Sequence, residues 1–307
     1  MSADLVLTRF LLRGGTGERD GRGVREHGLG LLGRRGGHTR DCAARPSVPA
    51  HTCHPFGVRW FPAVVLVLLL AACAEDPHEQ PPPVAVLAAI PHDTSAFTQG
   101  LELVDGVLYE GTGLEGESTV RRVDPATGEV RRRVDLPAPL FGEGITVVDD
   151  RLWQITWQDG VAIERDRSTL AEVRRVTYEG EGWGLCRDGD RLVMSDGSAR
   201  LTFRDPRTFA ATGSVSVAEG GRPVARLNEL ECVRGQVWAN VWQTDRIVRI
   251  DPTDGRVTAS FDLGPVRPAD VPRSDVLNGI AAVPGTDEFL VTGKNWPVML
   301  RVRFGGV

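Results

Sequence analysis

A short join recurs along this chain at nearly constant spacing. It appears first as Gln99-Gly100, where it opens an apolar run, a turn and a second run. It returns as Glu143-Gly144, Trp183-Gly184, Asn228-Glu229 and Asn278-Gly279, at intervals of 44, 40, 45 and 50 residues. A period of this size indicates repeated units of one supersecondary type. The length, 307 residues, would allow two domains. The period argues instead for one repeated architecture.

Each unit reads as four short strands. In the first, residues 100–106 and 107–111 flank an Asp-Gly turn, 119–123 follows, and the turn at 124–128 leads into 129–136. Residues 144–178, 184–217 and 229–263 copy the pattern, and the fifth unit, 279–304, is one strand short. Residues 84–90, ahead of the first unit, form an apolar run that is one strand too many. Set as the outer strand of the last unit, that run closes a ring and leaves no open sheet edge. The expectation is therefore an all-β fold, a five-bladed β-propeller with four-stranded blades, closed by the N-terminal strand over residues 84–307. A β-sandwich would explain neither the period nor the split unit.

Residues 1–72 differ in kind. They carry ten Arg against five acids, leaving 26 basic and 36 acidic residues beyond them. A domain with a net charge of -10 does not suit non-specific nucleic-acid binding. Residues 1–57 read as a disordered or mis-annotated leader. Residues 58–72 read as a signal peptide, one Arg followed by an apolar run too short for an ordinary membrane span. Leu70-Ala-Ala-Cys73 resembles the bacterial lipobox, in which the Cys is lipidated; the alternative is a plain signal peptide with a chance Cys. The proline-rich stretch 73–83 then reads as an extended tether. These features imply an exported, lipid-anchored protein of the bacterial cell envelope, meeting the membrane only through the anchor. Cys186 and Cys232 remain in the domain. They could be bonded in an exported protein or be two separate buried cysteines. No zinc-ligand spacing is present.

In a propeller the first strand of each blade lines the central channel, so residues at its start gather at one mouth. Those positions are Gln99, Glu143, Trp183, Asn228 and Asn278. A second ring follows thirteen residues after Gly100, Gly144, Gly184 and Glu229, at Gly113, Trp157, Gly197 and Trp242. The fifth unit has a turn two residues longer and places Lys294 there, the only Lys in the chain. One face thus collects an acid, a cation, three Trp, a Gln and two Asn, an apolar cleft with a few convergent polar groups.

Seven segments match one family in order: Phe97-Thr-Gln-Gly100, Phe141-Gly-Glu-Gly-Ile-Thr146, Glu181-Gly-Trp-Gly-Leu185, Leu227-Asn-Glu-Leu-Glu231, Ala239-Asn-Val-Trp-Gln-Thr-Asp-Arg-Ile247, Leu277-Asn-Gly-Ile280 and Val291-Thr-Gly-Lys-Asn-Trp-Pro297. The chain resembles the plant and bacterial glutaminyl-peptide cyclotransferases, five-bladed propellers distinct from the zinc-dependent animal enzymes. The resemblance implies conversion of an N-terminal glutaminyl residue to pyroglutamyl with loss of ammonia. It puts the family's active-site residues on Phe97, Gln99, Glu143, Trp157, Trp183, Asn228, Trp242 and Lys294. Seven of these eight already belong to the two rings.

Cyclisation is attack by a peptide's own α-amine on its side-chain amide carbon, so the site mainly holds a folded-back conformer. Glu143, the only acid in the two rings, suits a proton carrier. Lys294, Gln99 and Asn228 suit donors to a developing oxyanion, although Lys294 could instead form a salt bridge that fixes Glu143. Phe97, Trp157, Trp183, Trp242 and Asn278 are the substrate-binding candidates. No cofactor or catalytic metal is expected; the partners expected are peptides or proteins with N-terminal Gln, and the chain is expected to act as a monomer. The competing reading is a non-catalytic peptide-binding propeller on the cell surface, against which a lone acid among tryptophans argues. A propeller lactonase would want several acids or Asn around a metal.

Overall fold

A computed structural model describes residues 83–306. The leader, the signal peptide, Cys73 and nearly all of the tether lie outside the described residues.

Five four-stranded antiparallel sheets follow one another along the chain. Blade 1 comprises Thr98–Val104, Val107–Thr112, Thr119–Val123 and Val130–Asp135. Blade 2 comprises Gly142–Val148, Arg151–Thr156, Val161–Asp166 and Glu172–Thr177. Blade 3 has Leu185–Asp188, Arg191–Ser195, Arg200–Arg204 and Ala211–Ser216, and blade 4 has Leu227–Val233, Gln236–Val241, Arg246–Ile250 and Val257–Asp262. Blade 5 has Leu277–Ala282, Glu288–Gly293 and Val298–Phe304, and its outermost strand is the N-terminal Val84–Pro91. That strand runs antiparallel to its neighbour, with Val84 opposite Phe304 and Pro91 opposite Val298. The inner strands of blades 1 to 5 touch in cyclic order, the fifth meeting the first. The fold is thus the expected five-bladed propeller.

Burial falls from the axis outward, and the residues follow it. Val107–Thr112 is almost wholly buried, while the outer Val130–Asp135, with three successive Arg, is mostly exposed. The core lies between blades. The largest cluster joins blades 4 and 5 through Trp238, Phe261, Phe289 and Phe304, with Trp238 stacked on Phe261 at 5.3 Å. Inner strands must approach closely to close the ring, and glycine permits it. A Cβ at Gly184 would lie 2.1 Å from the Asn228 carbonyl oxygen of the next blade. A disulfide between Cys186 and Cys232 ties the inner strands of blades 3 and 4, deciding a question the sequence left open.

Two small elements went unforeseen, a hairpin of Ala218–Glu219 with Arg222–Pro223 and a 3-10 turn at Gly264–Val266. Both lie in long connections with no apolar period to signal them.

Candidate functional site

Four of the five inner strands break register at their start, between Thr98 and Gly100, Gly142 and Ile145, Leu227 and Leu230, and Leu277 and Ile280. Gln99, Glu143, Asn228 and Asn278 all sit within these irregularities. An extra residue in one strand frees its side chain from the strict alternation of the sheet and re-aims it. In blade 3 the equivalent Trp183 precedes the strand, its N–H donating to Ser195 O at 3.0 Å.

The channel-side edge of each inner strand needs hydrogen-bond partners. At this mouth it finds them in the next blade. Gln99 Nε2 donates to Glu143 Oε1 at 2.8 Å. Gly144 N donates to Trp183 O at 2.9 Å, and Ser195 Oγ to Asn228 O at 2.6 Å. Gly279 N donates to Asn240 Oδ1 at 3.0 Å, and Asn278 Nδ2 to Thr98 O at 2.9 Å. The five bonds span all five blade junctions, and two of them use ring side chains.

Glu143 is 2 % exposed. Gln99 holds its Oε1, and Gln99 is held in turn by Asn278 Nδ2, which donates to Gln99 Oε1 at 3.0 Å. Glu143 Oε2 is buried and has no hydrogen-bond partner, as are Asn228 Oδ1, Asn278 Oδ1 and Asn240 Nδ2. Burial raises the Glu143 carboxyl well above its ordinary 4.5; the Lys294 charge opposes this, and Glu181 adds to it. Lys294 is also buried, which lowers its ammonium to about 8 against the pull of Glu143. Among the described residues it makes no ion pair with a carboxylate. Its Nζ lies over the Phe97 ring, 4.5 Å from the centroid. The salt bridge to Glu143 is therefore not formed; the two charges act on each other from beyond contact.

The second ring stands just past the second strands. Trp157 N donates to Phe141 O at 3.0 Å, Trp242 N to Arg226 O at 2.8 Å and Lys294 N to Val276 O at 2.9 Å, binding each to the residue two before its blade's first-ring position. Trp183 and Trp242 meet edge to face at 5.5 Å. Phe141 lies edge to face with both Phe97 and Trp157, at 6.2 and 5.6 Å. The two glycines of this ring leave room for those aromatics. A Cβ on Gly113 would strike the Phe141 ring at 2.5 Å, and one on Gly197 the Trp183 ring at 2.6 Å.

Two polar residues were missed from sequence. Asn240 lies inside one of the seven matching segments and bridges blades 4 and 5. Glu181 lies two residues before Trp183, the offset at which the other blades carry Phe97, Phe141, Arg226 and Val276. Its Oε2 accepts both Trp157 Nε1 and Trp183 Nε1, at 2.9 and 3.0 Å. Glu143 is therefore not the only acid at the mouth. Counting back two residues from the first ring would have found Glu181.

Behind Gln99 lies a buried ion pair. His92 Nε2 meets Glu110 Oε1 at 2.9 Å and its Nδ1 meets Trp296 O at 2.8 Å, while Thr98 Oγ1 also donates to Glu110. Both ring nitrogens thus face acceptors, the arrangement of an imidazolium. Among the described residues no group of three or more His, Cys, Asp or Glu is arranged to hold a metal ion.

A family model described as glutamine cyclotransferase matches residues 63–304. A glutaminyl-peptide cyclotransferase of Arabidopsis thaliana is 39 % identical over 226 residues, covering 72 % of this chain and 71 % of that protein. The crystal structure of a Myxococcus xanthus glutaminyl cyclase superposes with a TM-score of 0.69 at 37 % identity, covering 73 % of this chain and 97 % of that one.

Proposed function

The chain belongs to the glutamine cyclotransferase family and is an enzyme of that type, and from this premise we propose that it cyclises N-terminal glutaminyl residues to pyroglutamyl by acid–base chemistry that needs no metal. The observation that carries the mechanism is the Glu143 carboxyl. It is enclosed, one oxygen is fixed by Gln99, and the other has no protein partner.

The substrate's α-amine nitrogen attacks its own side-chain amide carbon, forming the ring C–N bond and leaving charge on the amide oxygen. Glu143 takes the amine proton and returns it to the departing nitrogen as the C–NH2 bond breaks and ammonia leaves. A carboxyl whose burial has raised its pKa does this near neutral pH more readily than an exposed one. Lys294 and Asn228 supply donors to the oxyanion. The amide of Asn228 can present either its oxygen or its nitrogen to the site. Gln99 serves mainly to fix Glu143, and Asn278 serves it through Gln99. Phe97, Trp157, Trp183 and Trp242 pack on the substrate methylenes and exclude water. Because the nucleophile is intramolecular, holding the folded-back conformer supplies much of the rate.

The site-bearing domain is proposed to act as a monomer after export and lipidation at Cys73. The Cys186–Cys232 disulfide supports export, since such bonds persist in oxidising compartments. The test of the reaction is incubation of the purified domain with a Gln-initiated dipeptide amide and a chelator, following ammonia. Release of ammonia together with pyroglutamyl product is expected. Activity abolished by chelator and restored by zinc would overturn the metal-free mechanism.

A further inference from the structure

Glu181 is half-buried at the rim, and its hydrogen bonds are unusual for a surface acid. Each carboxylate oxygen offers about two acceptor positions. On Oε2 both are taken by indoles, Trp157 at the end of the second strand of blade 2 and Trp183 at the start of blade 3. Oε1 accepts Gln158 Nε2 at 2.9 Å. One side chain therefore fixes two tryptophans that come from different blades and do not otherwise share a backbone element. Trp157 is also set by Phe141, and Trp183 by Trp242 and the Gly197 backbone. Those contacts fix where the rings lie, while the N–H donors fix how each ring is turned within its plane.

We propose that Glu181 is a positioning residue for the cyclisation: it turns Trp157 and Trp183 to form the substrate's apolar wall and sets a second carboxylate at the mouth that holds Glu143. The inference rests on the reaction assigned above. The charge has a definite consequence. Glu143 is faced by Lys294 from blade 5, by Glu181 ahead of blade 3 and by Tyr178 after the outer strand of blade 2. Apart from burial, Glu181 is the group that pushes Glu143 towards its protonated form, against Lys294.

Two variants separate the roles. Glu181→Gln keeps the shape and one acceptor oxygen and removes the charge. Without it the Glu143 carboxyl ionises more easily, so the acidic limb of kcat/KM should move to lower pH while KM changes little. Glu181→Ala takes the shared acceptor from both indoles. KM for the Gln-initiated dipeptide amide should rise about tenfold, the effect of roughly one buried donor losing its partner, with a smaller change in kcat. Tryptophan emission should shift with it. An unmoved acidic limb in Glu181→Gln, with the same KM as wild type in Glu181→Ala, would overturn the proposal. So would an unmoved limb accompanied only by lowered stability, because a purely structural role does not alter the titration of Glu143. Should Glu181→Ala fail to fold, the limb in Glu181→Gln alone decides. Wild-type protein that releases no ammonia would instead overturn the assigned reaction.

Discussion

The mouth of the channel and the wall just beneath it both carry glutamates on inner strands, and they are built differently. Glu143 at the mouth and Glu229 on the wall are 2 % and 1 % exposed. Burial raises both carboxyls well above 4.5. Glu143 has one oxygen held by a side chain and the other without a partner. Glu229 has both oxygens taken by backbone. It accepts Leu101 N of blade 1 at 3.1 Å and Ile280 N of blade 5 at 2.8 Å, reaching across the channel from blade 4. Glu231 accepts Ala282 N in the same manner, and Glu102 accepts Val147 N. A fully satisfied carboxylate is a strut, since it gives inner-strand edges the partners that no neighbouring strand supplies. One with an unpartnered oxygen is placed for an incoming group. Residue type and burial cannot tell the two apart; the hydrogen-bond partners do.

If that distinction is right, mutation should separate activity from stability. The largest effect is expected for Glu143→Gln. It should fold as wild type and lose about 10² to 10⁴ in kcat, the range of a general acid–base group, with KM little changed. Steady-state kinetics on the dipeptide amide would measure this, and near-normal turnover would move the proton carrier elsewhere. Glu229→Ala should show the reverse order, unfolding first. Two buried N–H groups would lose their acceptor, so urea denaturation should give a loss of about 2–5 kcal/mol. A Glu229→Ala protein as stable as wild type, yet inactive, would erase the difference between wall and mouth.

The smallest and most diffuse effect concerns pH and stability. Burial and the Glu102 charge raise the folded pKa of Glu231, and Glu102 itself is raised to about 7, mainly by burial. A carboxyl raised on folding costs stability as pH climbs past its unfolded value of 4.5. His92 is opposed by its burial but pushed net above 6.5 by Glu110, so its contribution is present below 6.5 and is lost as pH rises through the folded value. Glu110 is raised by burial but brought net below 4.5 by His92 and Arg121, so its contribution is present above 4.5 and is lost as pH falls. The His92–Glu110 pair thus contributes most between 4.5 and 6.5, while the raised wall carboxyls cost progressively more stability from 4.5 upward. Thermal melts should show Tm falling by several degrees from about pH 6 to about pH 9, and Glu231→Gln should flatten that fall. A Tm that climbs over the same range would show that the wall carboxylates are not strained by their burial.

The number of blades, the split fifth blade and the register of both rings were legible in the sequence. They depend on turn residues, two-residue alternation and a repeat length, all local to a few residues, and Gln99, Glu143, Asn228 and Asn278 fall where the repeat put them. Tertiary structure alone decided the rest. Glu181 lay in a matching segment, yet its role appears only where indoles from two blades converge on one oxygen. Lys294 was assigned its ring from sequence, but whether it met Glu143 or the Phe97 face depended on distances across blades. The same holds for the Cys186–Cys232 bond and for Glu229 as a strut between inner-strand edges. A repeat fixes where side chains start along the chain. Which partner each one meets, and how far burial shifts its charge, are set by contacts between blades, such as that of Cys186 with Cys232 across a separation of 46 residues.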